Sequence, residues 1–195
     1  MKEYRINEIF YSLQGEGRNT GQAAVFIRFS GCNLHCTFCD TDFTEYTLMT
    51  LDDIMRQLED IPTPQSTGVA IWCILTGGEP SLQADDQLVE LLHQRGYRVA
   101  MESNGTHRPP NGLDWLTVSP KIQPTVNQCD ELKVIFDGKQ LPNDFGIKAH
   151  YYYLQPCDTG NSKLNQRIMH QCIEYIKQHP KWQLSLQTHK MVGIA

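Results

Sequence analysis

The stretch AVFIRFSGCNLHCTFC, residues 24–39, joins an apolar segment to three closely spaced cysteines. Its first part, Ala24–Phe29, is rich in the β-branched and aromatic residues typical of a buried strand. Its second part sets Cys32, Cys36 and Cys39 in a C-x3-C-x2-C pattern. Three thiols so close together on one loop indicate a metal or iron–sulfur site rather than three inert side chains. The stretch therefore predicts a ligand site at the end of a strand.

Zinc and an iron–sulfur cluster are the two alternatives for this loop. A closed zinc site needs four ligands, and His35 or a cysteine elsewhere in the chain could complete it. The other four cysteines have no partner at ligand spacing, so we expect small core or wall residues at Cys73, Cys129, Cys157 and Cys172. An iron–sulfur cluster usually takes four thiolates, so three would leave one iron open to a ligand, as a catalytic cluster requires.

The composition predicts one acidic domain over residues 1–195, because 40% of the 195 residues are hydrophobic and can form a packed core. Seventeen Lys and Arg against 22 Asp and Glu give a net charge of −5, which argues against direct nucleic-acid binding. The longest strongly apolar run, Val69–Leu75, is far shorter than the ~20 residues of a membrane span. The N-terminal residues show no apolar signal segment, and an odd count of seven cysteines does not suit a secreted disulfide framework. We therefore expect a cytoplasmic protein that has no membrane partner.

Strand and helix patterns alternate in the first part of the chain. After an extended piece at Tyr4–Phe10, strands are predicted at Ala24–Phe29, Ile71–Leu75, Tyr97–Met101, Trp115–Ser119, Leu132–Phe136, Tyr151–Leu154 and Gln183–Leu186. Helices are predicted at Thr50–Asp60, Ala84–Arg95 and Ser162–His179. Prolines and glycines between Met101 and Tyr151 leave little room for further helices. The pattern predicts an α/β fold, an abbreviated open barrel of about six parallel strands and about three long helices.

Polar loops follow these predicted strands. They are the cysteine loop, Thr76–Pro80, Glu102–Gly105, Ser119–Lys121, Gln155–Asp158 and Gln187–Lys190. Because the carboxyl ends of parallel strands meet at one mouth, where ligands bind, we expect these loops to form an active site.

The cysteine pattern after one strand, with Gly77-Gly78-Glu79-Pro80 after the next, resembles the radical S-adenosylmethionine (SAM) enzymes. The resemblance implies that the three thiolates hold a [4Fe–4S] cluster whose fourth iron binds SAM. One electron then cleaves SAM to a 5′-deoxyadenosyl radical. A flavodoxin- or ferredoxin-type electron donor is implied as the redox partner.

A narrower resemblance extends along nearly the whole chain. Residues 8–17 (EIFYSLQGEG) and 39–43 (CDTDF), together with the loops above, closely resemble the 7-carboxy-7-deazaguanine synthases. These enzymes are homodimeric lyases that convert 6-carboxy-5,6,7,8-tetrahydropterin to 7-carboxy-7-deazaguanine, with loss of ammonia, in queuosine and 7-deazapurine biosynthesis. The implied reaction removes hydrogen from C6 of the pterin, contracts the ring, returns the hydrogen and eliminates ammonia.

The resemblance also implies roles for individual residues. Its substrate-binding positions are Leu13, Gln14, Gly15, Arg28, Thr76 and Ala195. A guanidinium such as that of Arg28 suits bidentate binding of the pterin carboxylate. The SAM-binding positions are Phe38, Asp40, Gly78, Glu102, Ser103, Ser119, Pro120, Lys121, Gln155, Pro156, Cys157 and Asp158. Thr41 matches the Mg2+ position, and this cation accepts one protein oxygen while keeping several waters.

Two of these positions depart from the family pattern. Ala195 stands where the family often has proline, so the terminal carboxylate is kept but the proline ring and its packing are absent. Cys157 stands where methionine is familiar, and we expect a wall residue there because a fourth cluster thiolate would block SAM.

Two other functions are compatible with the cysteine pattern. One is an activase that takes hydrogen from a partner protein, but it leaves residues 13–17 and Arg28 without a role. The other is a zinc-stabilised module for nucleic acid, against which the net charge and the polar loops argue.

Overall fold

The structure is a computed structural model that describes residues 2–39, 44–62 and 69–194. Its strands are β1 (Tyr4–Leu13), β2 (Ala23–Phe29), β3 (Thr47–Met49), β4 (Trp72–Gly77), β5 (Arg98–Ser103), β6 (Trp115–Val118), β7 (Gln128–Phe136), β8 (Lys148–Pro156) and β9 (Gln183–Leu184). Its helices are α1 (Leu51–Asp60), α2 (Asp86–Gln94), α3 (Ser162–Gln178) and α4 (Thr188–Val192), with a 3-10 turn at Pro80–Leu82. The described strands and helices confirm an α/β fold.

All nine strands form one sheet in the order β3-β1-β2-β4-β5-β6-β7-β8-β9. The seven strands from β2 to β9 in this order are mutually parallel, whereas β1 pairs antiparallel with both β2 and β3. The sheet is therefore larger than the six-stranded arrangement predicted. At its edges, β9 corresponds to the strand predicted at Gln183–Leu186 and β1 to the extended piece predicted at Tyr4–Phe10, whereas β3 was not predicted.

The three long helices lie close to their predicted positions. The Thr50 hydroxyl accepts from the Asp53 N–H, and the Asp53 carboxylate accepts from the Thr50 N–H, so the predicted capping box begins α1. The helix α2 begins two residues later than predicted, because Asp85 is its N-cap and accepts from the Leu88 N–H. Residues 104–114, 119–127 and 137–147 contain no α-helix, as the prolines and glycines there predicted.

The two faces of the sheet differ in the side chains that they carry and in what covers them. One face packs the apolar sides of α1, α2 and α3 against strand residues in the main core, which includes Cys73, Cys129 and Cys172. On the opposite face, a smaller cluster covers β2, β4 and β5 and consists of Ala24, Phe26, Trp72, Ile74 and Ala100. Because side chains alternate along a strand, the same face of β7 carries Glu131, Lys133 and Ile135. This second face leads into the site.

In the described part of the chain, no helix has the length and apolar character needed to cross a lipid bilayer.

Candidate active site

A cavity of about 470 Å³ opens where the parallel strands end, a size typical of small-molecule sites. Its walls come from the β1–β2 loop, the cysteine loop, the ends of β4, β5, β6 and β8 with the residues that follow them, and residues 187–194. The loops that were expected to converge on one mouth therefore do so.

The three cysteines of the C-x3-C-x2-C pattern all line this cavity. Their loop is held by two backbone hydrogen bonds, in which the Gly78 N–H donates to the Phe29 carbonyl and the Glu79 N–H to the Gly31 carbonyl, each at 2.9 Å. A Cβ atom at position 78 would lie 2.0 Å from the Gly31 carbonyl oxygen. Glycine is therefore required for the TGGEP segment to approach the cysteine loop this closely.

Glu79 fixes the end of β5 beside the same loop. Its side chain is fully buried, and its carboxylate accepts from the Ser81 hydroxyl at 2.6 Å, the Ser103 hydroxyl at 2.8 Å and the Asn104 N–H at 2.6 Å. The Asn104 side-chain amide then approaches Cys32 Sγ at 4.0 Å. The carboxylate thus sets where the β5 end stands relative to the thiols.

The three thiols of the cysteine loop are the donor type that an iron–sulfur cluster takes. Burial raises the pKa of the Cys32 thiol, and the charges of Glu79, Cys36 and Cys39 raise it further, so a bound cationic group would be needed to hold thiolates here. Among the described residues, no three His, Cys, Asp or Glu side chains converge where one metal ion could sit. The three cysteines line one cavity, and thiolates are the donors that an iron–sulfur cluster takes.

An aromatic wall with a guanidinium above it forms the side of the cavity nearest β2. The rings of Phe10 and Phe26 stack with centroids 5.0 Å apart. The Arg28 guanidinium lies 5.1 Å from the Phe10 ring centroid, and its Nη1 donates to Glu8 Oε1 at 2.5 Å. Arg28 is half-buried, so this side presents one partly desolvated cation that could meet an anionic ligand group.

A buried lysine links two carboxylates on the opposite side. Lys133 Nζ donates to Glu16 Oε2 at 2.5 Å and to Glu102 Oε2 at 3.0 Å. The other Glu16 oxygen accepts from the Gln155 and Gln187 side-chain amides, each at 3.0 Å. Burial by itself would raise the pKa of Glu16, but Lys133 and these amides lower it below its usual value. Glu16 is therefore an ionised carboxylate at neutral pH.

A further carboxylate lies beneath the β1–β2 loop. Glu131 is 2% exposed, and its Oε2 accepts from the Arg18 N–H at 2.8 Å. Burial and the neighbouring charge of Glu102 raise the pKa of Glu131 to about 7. This group supports the loop from below and changes its charge near neutral pH.

Comparisons with known proteins agree with this geometry. Residues 26–119 match the Radical SAM superfamily. The 7-carboxy-7-deazaguanine synthase of Bacteroides thetaiotaomicron is 46% identical over 97% of this chain and 98% of its own length. That of Caulobacter vibrioides is 41% identical over 98% and 99%. The chain belongs to the 7-carboxy-7-deazaguanine synthase family. The crystal structure of QueE from Escherichia coli is also similar, with a TM-score of 0.71 and 25% identity over 94% of this chain and 93% of that one.

Most of the positions that the synthase family suggests lie around the one cavity. They are Leu13, Gln14, Gly15, Arg28, Cys32, Cys36, Phe38, Cys39, Thr76, Gly78, Glu102, Ser103, Ser119, Lys121, Gln155, Pro156, Cys157 and Asp158. Pro120 is buried and is not among the residues that line the cavity. Asp40, Thr41 and Ala195 lie outside the described residues.

One of the suggested SAM positions, Lys121, has an unusual environment. Burial and the nearby charge of Lys133 lower its pKa to about 8, and its Nζ donates to the Ser119 carbonyl and hydroxyl at 2.6 and 2.7 Å. A cation held in this way suits the binding of anionic ligand groups in the cavity.

The sequence analysis gave no individual role to 13 of the cavity residues, seven of which lie in loops that it expected at the mouth. The 13 residues are Phe10, Glu16, Phe26, Leu34, Gly77, Glu79, Asn104, Lys133, Ile135, Gln187, His189, Lys190 and Ile194. Lys133 could have been found, because charged and apolar residues alternate from Glu131 to Val134 and put the charged residues 131 and 133 on one face. Glu16 carried no signal of its own beyond its place in a Gly-rich segment.

Proposed function

We propose that this protein is a 7-carboxy-7-deazaguanine synthase. It converts 6-carboxy-5,6,7,8-tetrahydropterin to 7-carboxy-7-deazaguanine and releases ammonia, in the biosynthesis of queuosine and related 7-deazapurines. The observation that carries this proposal is one cavity that is lined by three cysteines, by residues 13–16 and by Arg28. Full-length similarity to synthases of 34–46% identity supports it.

The cavity has the donors that a [4Fe–4S] cluster and SAM need. Cys32, Cys36 and Cys39 would hold the cluster, and a bound cluster with SAM supplies a radical that removes hydrogen from the substrate. Gly78 lines the cavity and has no space for a side chain against the cysteine loop, and its backbone would lie beside SAM. Ser119, Lys121 and residues 155–158 supply polar groups around the same space.

Substrate binding is assigned to the other side of the cavity. Arg28 would bind the pterin carboxylate, and Gln14 and Thr76 would orient the ring, with Leu13 and Gly15 beside it. Phe10 and Phe26 make that part of the wall apolar, which excludes water from a reactive intermediate.

The remaining features of the proposal rest on the family pattern. Thr41 would bind Mg2+, which orients substrate oxygens and stabilises anionic charge that develops during rearrangement. The carboxylate of Ala195 would contact substrate, and Asp40 and Pro120 would contribute to SAM binding. A flavodoxin- or ferredoxin-type donor would supply electrons to a cytoplasmic homodimer. Each chain would form one radical SAM domain over residues 1–195, built as a partial (βα)6-type barrel.

Anaerobic reconstitution followed by incubation with SAM, a reductant and the carboxytetrahydropterin tests the proposal. We expect the EPR signal of a reduced [4Fe–4S] cluster, together with 7-carboxy-7-deazaguanine and ammonia in equal amounts. A reconstituted protein that cleaves SAM but leaves the pterin unchanged would contradict the substrate assignment. A protein that binds zinc and no iron would contradict the reaction class.

A further inference from the structure

Four residues at the cavity form a closed ring of hydrogen bonds. Lys133 Nζ joins Glu16 and Glu102. Glu102 Oε1 accepts from the Gln14 side-chain amide at 3.2 Å, and Gln14 Oε1 accepts from the Glu16 N–H at 3.2 Å. The ring connects residues 14–16 in the β1–β2 loop with Glu102 near the end of β5 and Lys133 in β7.

We propose that Lys133 is a positioning residue. It holds residues 13–17, here called the substrate loop, at a fixed position relative to Glu102, which lies on the side of the cavity assigned to SAM. The proposal rests on the function proposed above. Lys133 acts through the two carboxylates that it holds. Its loss would therefore weaken pterin binding more than it weakens SAM cleavage.

The charge of the lysine is essential to this arrangement. Its side chain is 5% exposed, and the side chains of Glu16 and Glu102 are 16% and 21% exposed, so water screens the group weakly. A third carboxylate, Glu131, stands two residues before Lys133 on the same face of β7. Without the cation, three carboxylates would face one another in a poorly solvated space, and an unpaired buried charge is strongly destabilising.

The ring is one of several connections between the loop and the sheet, because Gln155 in β8 also donates to Glu16 and Glu131 in β7 accepts from the Arg18 N–H. Other bonds hold the loop from the chain's C-terminal part, where the Gly17 N–H donates to Ser185 Oγ at 3.0 Å and Thr188 donates to the Gly15 carbonyl at 2.9 Å. Those bonds keep the loop folded but do not reach Glu102. Lys133 therefore supplies the charged link from Glu16 to Glu102, beside the neutral bond that Gln14 donates to Glu102. The loop's attachment elsewhere persists without it.

Lys133 is suited to positioning and not to proton transfer. Burial alone would lower the pKa of Lys133, but Glu102, Glu16 and Glu131 raise it above its usual value. The amine thus stays protonated throughout the neutral range.

The test compares Lys133→Met and Lys133→Arg with the wild type, and uses Lys177→Met as a control on the exposed face of α3. Pterin affinity is measured by calorimetry on the reconstituted protein with SAM bound, and SAM cleavage is measured without pterin. Amide hydrogen exchange of residues 14–18 is followed in the ligand-free protein. Lys133→Met should weaken pterin binding by about tenfold or more, the equivalent of one charged hydrogen bond. The rate of SAM cleavage without pterin should stay within about threefold of the wild-type rate, which is a smaller change than the loss of one charged hydrogen bond would cause.

The exchange measurement separates this proposal from the proposed function. The amides of residues 14–18 should exchange about tenfold faster in Lys133→Met, which corresponds to the loss of one charged hydrogen bond. Lys133→Arg should restore both the exchange rate and the pterin affinity, because it keeps the positive charge and has N–H donors for both carboxylates. If the wild type fails to bind the pterin, the proposed function is wrong and the exchange result alone decides the role of Lys133. Unchanged exchange with unchanged affinity in Lys133→Met would overturn the proposal. Equal losses of pterin affinity and SAM cleavage would also overturn the proposal, because they would indicate that Lys133 has a general structural role.

Should Lys133→Met fail to fold, the charge-balanced pair Lys133→Met with Glu131→Gln takes its place. The glutamine oxygen can still accept from the Arg18 N–H, and the double variant has the wild-type net charge. The same loosening of residues 14–18 and the same loss of pterin affinity are expected. A double variant with wild-type exchange and affinity would overturn the proposal.

Discussion

Replacement of Gly17 by alanine should destabilise the protein through a contact with one identified carboxylate. Gly17 has a φ of +65°, in the left-handed region, and a Cβ atom there would lie 2.0 Å from Glu131 Oε1. Glu131 is held in place by the strand β7 and by its bond to the Arg18 N–H. The new methyl group therefore has to displace a buried carboxylate from the backbone amide that it accepts from.

Two costs contribute to the expected loss. An alanine in the left-handed region costs about 1–2 kcal/mol. Loss of a hydrogen bond to a charged group costs about 1.5–3 kcal/mol. The free energy of unfolding should therefore fall by about 2.5–5 kcal/mol, the sum of these two contributions.

Gly21 provides a matched control for the backbone contribution. It has a φ of +84°, but a Cβ atom there would meet no other atom within 4 Å. Gly21→Ala should therefore lose only about 1–2 kcal/mol. With a urea m-value of about 2 kcal/mol/M, the midpoint for Gly17→Ala should lie about 1 M below that for Gly21→Ala. Equal midpoints for the two variants, followed anaerobically by circular dichroism, would refute the placement of Glu131 against the loop.

Four further predictions concern the site. Burial raises the pKa of Glu131 from 4.5 to about 7. Between pH 4.5 and about 7 the folded protein therefore keeps a proton that the unfolded chain has released, and stability falls as the pH rises through this range. Glu131→Gln should remove about 3 kcal/mol of that pH dependence in urea titrations, and an unchanged slope would contradict the assignment. Cys36→Ala should abolish SAM cleavage, whereas Cys172→Ala, in the main core, should retain it and lower only stability; cleavage by Cys36→Ala would exclude its role as a cluster ligand. Arg28→Gln should raise the KM for the pterin about 10- to 100-fold while uncoupled SAM cleavage persists, since a charged bond is lost; an unchanged KM would exclude carboxylate binding. Turnover should rise with added Mg2+, and full activity after EDTA treatment would exclude the role of Thr41.

The predicted elements match the structure where the sequence period is strong. Thr50 and Asp53 marked the start of α1, and the apolar runs before each loop marked the parallel strands. The strand β3 and the helix α4 were not predicted, because three and five residues are too few to show a period. They form through tertiary contacts, since β3 pairs with β1, and the residues around α4 bond to the 15–17 loop.

The outline of the site was predictable, but its ionic ring was not. Cysteine spacing and the polar strand ends identified which loops meet, because the carboxyl ends of parallel strands converge. Lys133 meets Glu16 and Glu102, which lie 117 and 31 residues away in sequence. No local pattern encodes such pairings, since they depend on how the loop folds over the end of β7.

Contacts between the two ends of the chain complete the substrate loop. Gly15 bonds to Thr188, Glu16 to Gln187 and Gly17 to Ser185, across 173, 171 and 168 residues of sequence. Bringing such distant segments together carries a loop-closure entropy that local contacts do not. During synthesis on the ribosome, the sheet can assemble from β1 onward, but residues 15–17 lack these three partners until residues 185–188 emerge. The pocket is therefore among the last parts of the protein to acquire its native form.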